Sequence, residues 1–378
     1  VYRDERAARF GQFLFNDTRL SGNGGVSCAT CHQPGHGFST PDKLGHGLGR
    51  TPRHPPSLLN IAYHHWYDWD GKADSLWSQA MRPLESPAEQ AIARTDIVRV
   101  VYENPELREA YETIFGEMPD FSDGERFPKD ARPIPDKPDS KPHRRWKSMS
   151  AEDRRRVNRA LTDVTKSLAA YERKLVSANA PFDEFARAVE KGDSAGRDAI
   201  SESAKRGLKI FLGRGNCVAC HNGPNFTDGS FHNLGLPDRK WLSDGPDRGR
   251  QQGVDIVKES DFNAKGPYSD DTGGKRAKWL EYLTRTPEDV GQFKTPTLRN
   301  VAKTPPYMHG GHFEDLEAVV EFYSTLPGQA EVGHREEMLE PIGLTDSEID
   351  DVVAFLETLD GEPVPEELTR QPESPSLE

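Results

Sequence analysis

Apolar residues recur at helical spacing in four stretches of the chain. "RAARFGQFLF" (6–15) and "SAKRGLKIFL" (203–212) each predict an amphipathic helix with a glycine near its middle. Longer periodic stretches cover 150–175 and 345–359. No stretch alternates convincingly between polar and apolar residues, so the pattern predicts a mainly α fold.

The two longer helices carry start signals, and the segments around them carry breakers. Ser150 is placed as an N-cap, and Thr345 with Glu348 forms a capping box. The stretch 119–145 is rich in proline and charge and is predicted to be loop. The last residues, 361–378, have the composition of a mobile tail.

One segment occurs twice, which indicates an internal repeat. "PSLLNIA" (56–62) resembles "PTLRNVA" (296–302) at an offset of 240 residues. The second half carries 51 additional residues upstream of this segment, and the polar, glycine-rich stretch 243–279 accounts for most of them. We predict a surface loop there, with partner binding as a further possibility.

Composition narrows the classes of function. The formal net charge of -13 argues against nucleic acid as a partner and permits a basic protein partner. No apolar run reaches the length of a membrane span. With 29 prolines and 33 glycines, long irregular loops are expected between the helices. The chain shows no signal peptide and does not begin with methionine, which is compatible with a mature form.

All four cysteines fall in two copies of C-x-x-C-H. Disulfides or a zinc site built from four cysteines would leave the two following histidines unexplained. The motif is that of covalent haem c, in which two thiols attach the haem and the histidine binds iron. We therefore expect two haem c groups held by Cys28, Cys31, His32, Cys217, Cys220 and His221. Attachment of haem c outside the bacterial cytoplasm indicates a periplasmic or exported protein.

These observations predict two cytochrome c-type domains related by a pseudo-twofold, each with one covalent haem. The first would cover 1–165. The second would cover 166–360 and include the polar insertion at about 243–279. The mobile tail would follow it.

Three features together resemble the bacterial dihaem cytochrome c peroxidase and MauG superfamily. They are "WDGKADSLWSQAMRPLESPAEQ" (69–90), "TPTLRNVAKTPPYMHGGHF" (295–313) and the paired C-x-x-C-H motifs, and the resemblance extends over roughly 5–360. It implies that the N-terminal haem reacts with hydrogen peroxide, that the C-terminal haem is six-coordinate and exchanges electrons, and that a calcium ion lies between the domains.

The resemblance places Tyr323 on the far side of the second haem iron. MauG-like members use tyrosine at this position, whereas classical peroxidases use methionine, and the helix here contains none. An anionic phenolate stabilises high oxidation states of iron better than a thioether does. Met308 is the competing ligand. The alternative is that Tyr323 is a core aromatic on the apolar stripe formed with Leu316, Val319 and Val320.

The internal repeat makes a separate argument for an open first haem. At the offset of 240, Tyr323 corresponds to Pro83, which has no group that binds iron. The first haem would then be five-coordinate or hold only water. Met81 is the nearest soft ligand but lies on another helical face. His46 and His54 occupy the loop that carries a switching histidine in classical peroxidases, but neither is in register, and both can be ordinary loop histidines.

Peroxide cleavage needs an acid/base that moves a proton between the two oxygens. The family's glutamate aligns with Glu89, and Gln79 and Pro83 are expected to line the same pocket. The alternative for Glu89 is local: the segment from Ser86 to Glu89 matches a capping box with Pro87 at the first helical position.

Two further roles follow from the resemblance. Trp69 aligns with the tryptophan that carries electrons or holes between the haems, although it can be a core aromatic, as Trp66 or Trp77 can. Asn60 matches the calcium ligand, with the main-chain oxygens of Thr304 and Pro306 completing the site. The alternative for Asn60 is a turn asparagine.

These features predict a MauG-like dihaem oxidoreductase that uses hydrogen peroxide to form a high-valent dihaem state and oxidises Trp or Tyr residues of a partner protein. MauG has a tryptophan just before its second C-x-x-C-H, and "GRGNCVACH" here has none; Trp241 and Trp279 are alternative exits, or buried packing residues. One alternative is a classical peroxidase fed by a small cytochrome or cupredoxin. A second is a dihaem electron-transfer protein without substrate chemistry.

Overall fold

The computed structural model describes residues 1–237 and 245–377, and the fold is mainly helical. The helices are α1 Glu5–Asn16, α2 Cys28–Cys31, α3 Leu76–Glu85, α4 Arg94–Glu103, α5 Pro105–Phe115, α6 Lys141–Ser148, α7 Ala151–Glu172, α8 Pro181–Lys191, α9 Glu202–Leu212, α10 Arg250–Glu259, α11 Lys275–Tyr282, α12 Leu316–Thr325 and α13 Asp346–Glu357. Two short strands, β1 Phe231–His232 and β2 Phe293–Lys294, pair antiparallel. Among these helices, none combines the length and apolar character that crossing a bilayer requires.

The four helices predicted from periodicity are confirmed as α1, α7, α9 and α13. The Ser150 side chain accepts a hydrogen bond from the Asp153 N–H at 3.0 Å, as an N-cap does. Thr345 and Glu348 form the capping box at the start of α13. The predicted loop 119–145 ends earlier than expected, because α6 begins at Lys141 with a proline in its first turn.

A glycine in α1 lets this helix cross α7 closely, and a glycine in α9 does the same at α13. A Cβ on Gly11 of α1 would lie 1.8 Å from the Ser167 carbonyl oxygen of α7. A Cβ on Gly207 of α9 would lie 1.8 Å from the Asp351 carbonyl oxygen of α13. Only glycine permits either crossing, which explains the glycine that the sequence shows in the middle of both helices.

Most buried apolar residues fall into two clusters. The first is built mainly from α1, α3, α4, α5 and α7, and the second from α9, α12 and α13. The boundary predicted at 165/166 lies inside α7, and Leu168, Tyr171 and Leu175 still belong to the first cluster. The passage to the second cluster therefore comes after Leu175.

The C-terminal segment packs on the first half of the chain. The Tyr171 hydroxyl donates to the Leu368 carbonyl at 2.6 Å, and the Gln12 amide donates to the Glu367 carbonyl at 2.5 Å. Val364 is buried against the first cluster. The segment predicted to be a mobile tail thus has fixed contacts with α1 and α7.

The prediction of a surface loop at 243–279 is wrong for most of that range. It contains α10 and the start of α11, and four buried residues from these helices and their connection form a third cluster: Val257, Ala264, Ala277 and Leu280. Trp66 packs against this cluster from the first half. The few apolar residues are diluted by charge in the sequence, and only the fold brings them onto one face. Residues 243 and 244 lie outside the described part.

Candidate functional site

Both motif histidines are held in the same way. His32 Nδ1 lies 2.9 Å from the Phe38 carbonyl oxygen, and His221 Nδ1 lies 3.0 Å from that of Phe226. Because a carbonyl only accepts, Nδ1 carries the proton and Nε2 keeps its lone pair for a metal. Burial lowers the pKa of both histidines, which favours the neutral form that binds iron.

The cysteines of each motif lie in one turn ahead of their histidine. Cys28 and Cys31 bound α2, and Cys217 begins a 3-10 turn that ends before Cys220. All four thiols are free. Two thiols and a neutral histidine within one turn fit the attachment of a haem with iron bound on one face.

A cavity of about 390 Å³ opens beside the second motif. Cys217, Cys220 and His221 line it, and Tyr323 of α12 lines it as well. The apolar stripe predicted on this helix also faces the cavity through Leu316, Val319 and Val320. Burial, followed by the two thiols, raises the pKa of the Tyr323 phenol, so the phenol is protonated until a cation stabilises the phenolate. The cavity thus brings the predicted proximal histidine and Tyr323 to one site.

Two methionines share this cavity with Tyr323. Met308, the competing ligand predicted from the sequence, lines it, and so does Met338, which sequence reasoning missed. Met338 is 48% exposed and lies in an irregular segment before α13. The chain has only five methionines. A check of each one as a possible thioether ligand would have found Met338.

At the first site, Glu89 lies in a turn and not at a helix start. The Glu89 N–H bonds to the Ser86 carbonyl at 3.0 Å, and the next helix begins only at Arg94. The capping-box alternative is therefore wrong, because the chain turns back instead of continuing as a helix. Burial raises the pKa of Glu89, and the Ser86 hydroxyl partly opposes the shift. Glu89 is also near enough to raise the pKa of Cys31.

Two further carboxyl groups converge on this site, and sequence reasoning missed both. Asp68 accepts a hydrogen bond from the Gln79 amide at 3.2 Å. Burial lowers the pKa of His32, and the Asp68 carboxylate partly opposes that shift. Glu172, at the end of α7, is 6% exposed, and its Oε2 has no hydrogen-bond partner within the described residues. Burial and then Asp68 raise the pKa of Glu172 to about 8. Burial, followed by the Glu172 carboxylate, raises the pKa of the Cys28 thiol.

The other candidates near the first site take structural positions. Pro83 lies inside α3 and is half-buried, and its carbonyl accepts the Gln90 N–H at 3.0 Å. Met81 is buried in the first cluster, and His46 is exposed. Both ring nitrogens of buried His54 are engaged, Nε2 with Ser39 Oγ at 3.0 Å and Nδ1 with a carbonyl oxygen at 3.2 Å.

Trp69 lies on the wall of the second cavity, one residue from Asp68 of the first site. Its indole N–H donates to the His54 carbonyl at 2.7 Å, and its ring centroid lies 6.4 Å from that of His309. By contrast, Trp77 is a core residue of the first cluster.

The remaining tryptophans lie near the insertion. Trp66 packs under the Arg250 guanidinium, whose central carbon lies 4.5 Å from the ring centroid. Trp279 of α11 meets His65 edge-on at 5.0 Å and is half-buried. Trp241 lies outside the described residues.

Asn60 is held by the segment between the two halves. Its amide donates to the Ser177 carbonyl at 2.9 Å, and its oxygen accepts the Ser177 N–H at 3.1 Å. Asn300, its counterpart in the repeat, accepts the Ser177 hydroxyl at 2.9 Å. The Asn60 oxygen keeps a second lone pair and so remains a hard oxygen donor of the kind that suits calcium.

Comparison with known proteins identifies the family. The family model for di-haem cytochrome c peroxidase matches residues 5–191. The cytochrome-c peroxidase IdrP1 of Pseudomonas sp. is 31% identical over 358 residues, which cover 92% of this chain and 79% of that protein. The chain belongs to the dihaem cytochrome c peroxidase and MauG family.

The relatives include both branches of this family. The MauG protein of Methylorubrum extorquens is 33% identical over 355 residues, covering 93% of this chain and 78% of that protein. The diheme peroxidase BthA from Burkholderia thailandensis has the same fold, with a TM-score of 0.68 at 22% identity, covering 100% of this chain and 90% of that chain. A MauG-like protein associated with microbial copper homeostasis gives a TM-score of 0.67 at 23% identity, with 98% and 93% covered.

Family membership settles the coarse chemistry. The protein is a peroxidase-type oxidoreductase with two haem cofactors. The alternative of a dihaem electron-transfer protein without substrate chemistry is therefore wrong.

Proposed function

We propose that this protein is a MauG-like oxidase that uses hydrogen peroxide at the His32 site to oxidise Trp or Tyr residues of a partner protein. The observation that carries the proposal is the position of Tyr323, which lines one cavity with His221 and the second cysteine pair. A phenolate there favours retention of oxidising equivalents, whereas a thioether favours a high-potential electron-transfer haem. The haems supply the redox chemistry when they are bound.

At the first site, the proposed work of the protein is to move one proton. Glu89 receives the proton from the inner oxygen of peroxide and returns it to the outer oxygen. Its buried environment raises its pKa toward the range in which it can do both. Gln79, fixed by its bond to Asp68, would orient peroxide. Pro83 has no group that binds iron, so it would offer no ligand to the first haem.

At the second site, His221 and Tyr323 are the residues that would hold the haem iron. Trp69 would connect the two sites, and its indole is fixed by the His54 carbonyl, so that its ring keeps one orientation. The pseudo-twofold and the domain division proposed from the repeat are supported by the paired histidine–carbonyl bonds and the paired asparagines.

The remaining parts of the proposal concern attachment, calcium and location. We infer covalent haem c at both motifs, calcium at Asn60, Thr304 and Pro306, and a periplasmic location consistent with the attachment chemistry. The absence of a tryptophan before the second motif argues against an exit route there, so holes would leave elsewhere on the surface.

One spectroscopic experiment tests this proposal. In the resting ferric protein, we expect one high-spin and one low-spin haem by electron paramagnetic resonance. Stoichiometric peroxide should then produce a long-lived near-infrared band shared by the two haems, and Tyr323→Phe should abolish it. Met308→Leu is the matched control on the same cavity and should retain the band. A resting protein without high-spin haem that becomes active only after reduction would refute the proposal.

A classical cytochrome c peroxidase is the second candidate. The observation that favours it is that Met308 and Met338 line the same cavity as Tyr323. This function predicts steady oxidation of a reduced small cytochrome or cupredoxin by peroxide, and a second haem of high potential. The low-spin signal of that haem should be lost in Met308→Leu or Met338→Leu and retained in Tyr323→Phe.

A further inference from the structure

Lys294 is a buried cation at the wall between the two sites. It lies in β2, is 9% exposed, and lines the cavity that contains His221 and Tyr323. Its main-chain N–H donates to the Trp69 carbonyl at 2.7 Å, so the lysine and the proposed inter-haem tryptophan are held together. Lys294 lies opposite Phe231 in the pairing of β1 with β2, which fixes its place on the cavity wall.

The ammonium group of Lys294 lacks a full set of acceptors. Its Nζ lies 3.4 Å from His64 Nδ1 and 3.4 Å from the Thr295 carbonyl oxygen, both long for charged hydrogen bonds. None of the ion pairs within residues 1–237 and 245–377 includes Lys294. Asp68 and Asp228 act on it only electrostatically, and burial lowers its pKa to about 8. A buried ammonium without an ion-pair partner is costly, so the position favours an anionic ligand.

His64 shows the same deficit beside it. When Nδ1 accepts from Lys294, the ring proton of the neutral histidine is on Nε2, which is buried and has no partner within the described residues. Burial and the lysine charge both lower the pKa of His64 and keep it neutral. The pair therefore presents two donors and no acceptor.

We propose that Lys294 binds a propionate carboxylate of the haem held at the His221 site, with His64 as the residue that positions the ammonium group. The inference rests on the proposed haem at this site. A carboxylate is the group that a haem brings to the wall of its own cavity, and it supplies the negative charge and the oxygen acceptors that the lysine lacks. The positive charge favours the reduced, less positive form of the adjacent iron.

The reduction potential of the second haem tests the inference. Lys294→Gln removes the charge, and Lys294→Arg keeps it. Lys303→Gln, which removes the charge of an exposed lysine, is the control. Haem content is measured first, by the pyridine haemochromogen assay, and the potentials follow from spectroelectrochemical titration. We expect two haems in every variant, and in Lys294→Gln a roughly tenfold smaller equilibrium constant for reducing the second haem, equivalent to about 59 mV for one electron. Lys294→Arg and Lys303→Gln should stay within threefold of the wild type.

The outcomes separate this inference from the proposed function. Two haems with an unchanged second potential in Lys294→Gln would overturn the inference alone. A wild-type chain that binds only one haem would overturn the proposed function and the inference with it. If the Lys294 variants do not fold, the wild-type protein decides: the propionate bending bands in its resonance Raman spectrum should include a strongly hydrogen-bonded one, and solvent-like bands alone would contradict the assignment.

Discussion

Replacing Glu89 with glutamine removes the proposed proton acceptor of the first site while keeping the size of the side chain. The substitution leaves the surrounding structure in place for two reasons. The Glu89 carbonyl, which accepts the Leu48 N–H at 2.8 Å, belongs to the main chain, and the glutamine amide can still bond to the Ser86 hydroxyl. The effect should therefore fall on chemistry and not on folding.

The expected magnitude follows from the loss of one positioned acid/base. Such a group contributes about 10²–10⁴-fold, which corresponds to about 3–5 kcal/mol in the activation free energy. In the wild type, burial raises the pKa of Glu89 above its ordinary 4.5, so the rate should rise with pH as the carboxyl group loses its proton, with a midpoint above 4.5. The glutamine variant should show no such rise.

Stopped-flow spectroscopy of the reaction with peroxide, under pseudo-first-order conditions and across pH, measures both effects. Glu103→Gln is the matched control, because this glutamate is 60% exposed on α4 and lies outside the site. A Glu89→Gln rate within threefold of the wild type, or an unchanged pH profile, would refute the assignment and direct attention to Asp68.

Three further outcomes are expected. Because the pKa of Glu172 is raised from 4.5 to about 8, the folded chain holds a proton that the unfolded chain releases. The free energy of unfolding should therefore fall as pH rises from about 4.5 to 8, by up to about 5 kcal/mol. In urea unfolding, Glu172→Gln should lack this pH dependence, and a variant that retains it would contradict the raised pKa. Gly207→Ala should destabilise the protein by about 1–3 kcal/mol, because its Cβ meets the Asp351 carbonyl, and an unchanged urea midpoint would contradict the close crossing. Asn60→Ala should lower the free energy of unfolding by about 1–3 kcal/mol, because the main chain of Ser177 loses both of its bonds to Asn60. It should also remove the calcium-dependent rise in melting temperature, measured with and without chelator, and a retained rise would place calcium elsewhere.

Local signals in the sequence predicted four of the helices correctly. Periodicity and caps located α1, α7, α9 and α13, because these signals depend on neighbours a few residues apart. The glycines of α1 and α9 were visible, but their reason, a helix crossing at Ser167 or Asp351, needed the structure. A local signal was wrong at Ser86, where a capping pattern lies in a turn. The Gln90 N–H there donates to the Pro83 carbonyl, so no helix follows the pattern.

Convergence in space was beyond the sequence. Asp68 is separated from Glu172 by more than a hundred residues, and only the packing of the first cluster brings both to one site. In the sequence Glu172 is an ordinary helix position, whereas in the structure its Oε2 is buried without a hydrogen-bond partner among the described residues. Lys294 likewise carries no signal in the sequence, because its burial on the cavity wall beside Trp69 is a property of the fold. Composition also concealed the helices of the insertion, whose apolar residues are few but lie on one face.

Ser177 has a consequence for how the two halves can fail. Its main chain pairs with Asn60, its hydroxyl donates to Asn300 and lies 2.7 Å from the Glu362 carbonyl oxygen, so one residue completes turns in both halves. Melting either half therefore leaves the other with unpaired buried polar groups, and heat should unfold the chain in a single calorimetric transition. Because both halves depend on Ser177, neither is expected to fold without the other. The residues around each site can still differ between the two halves.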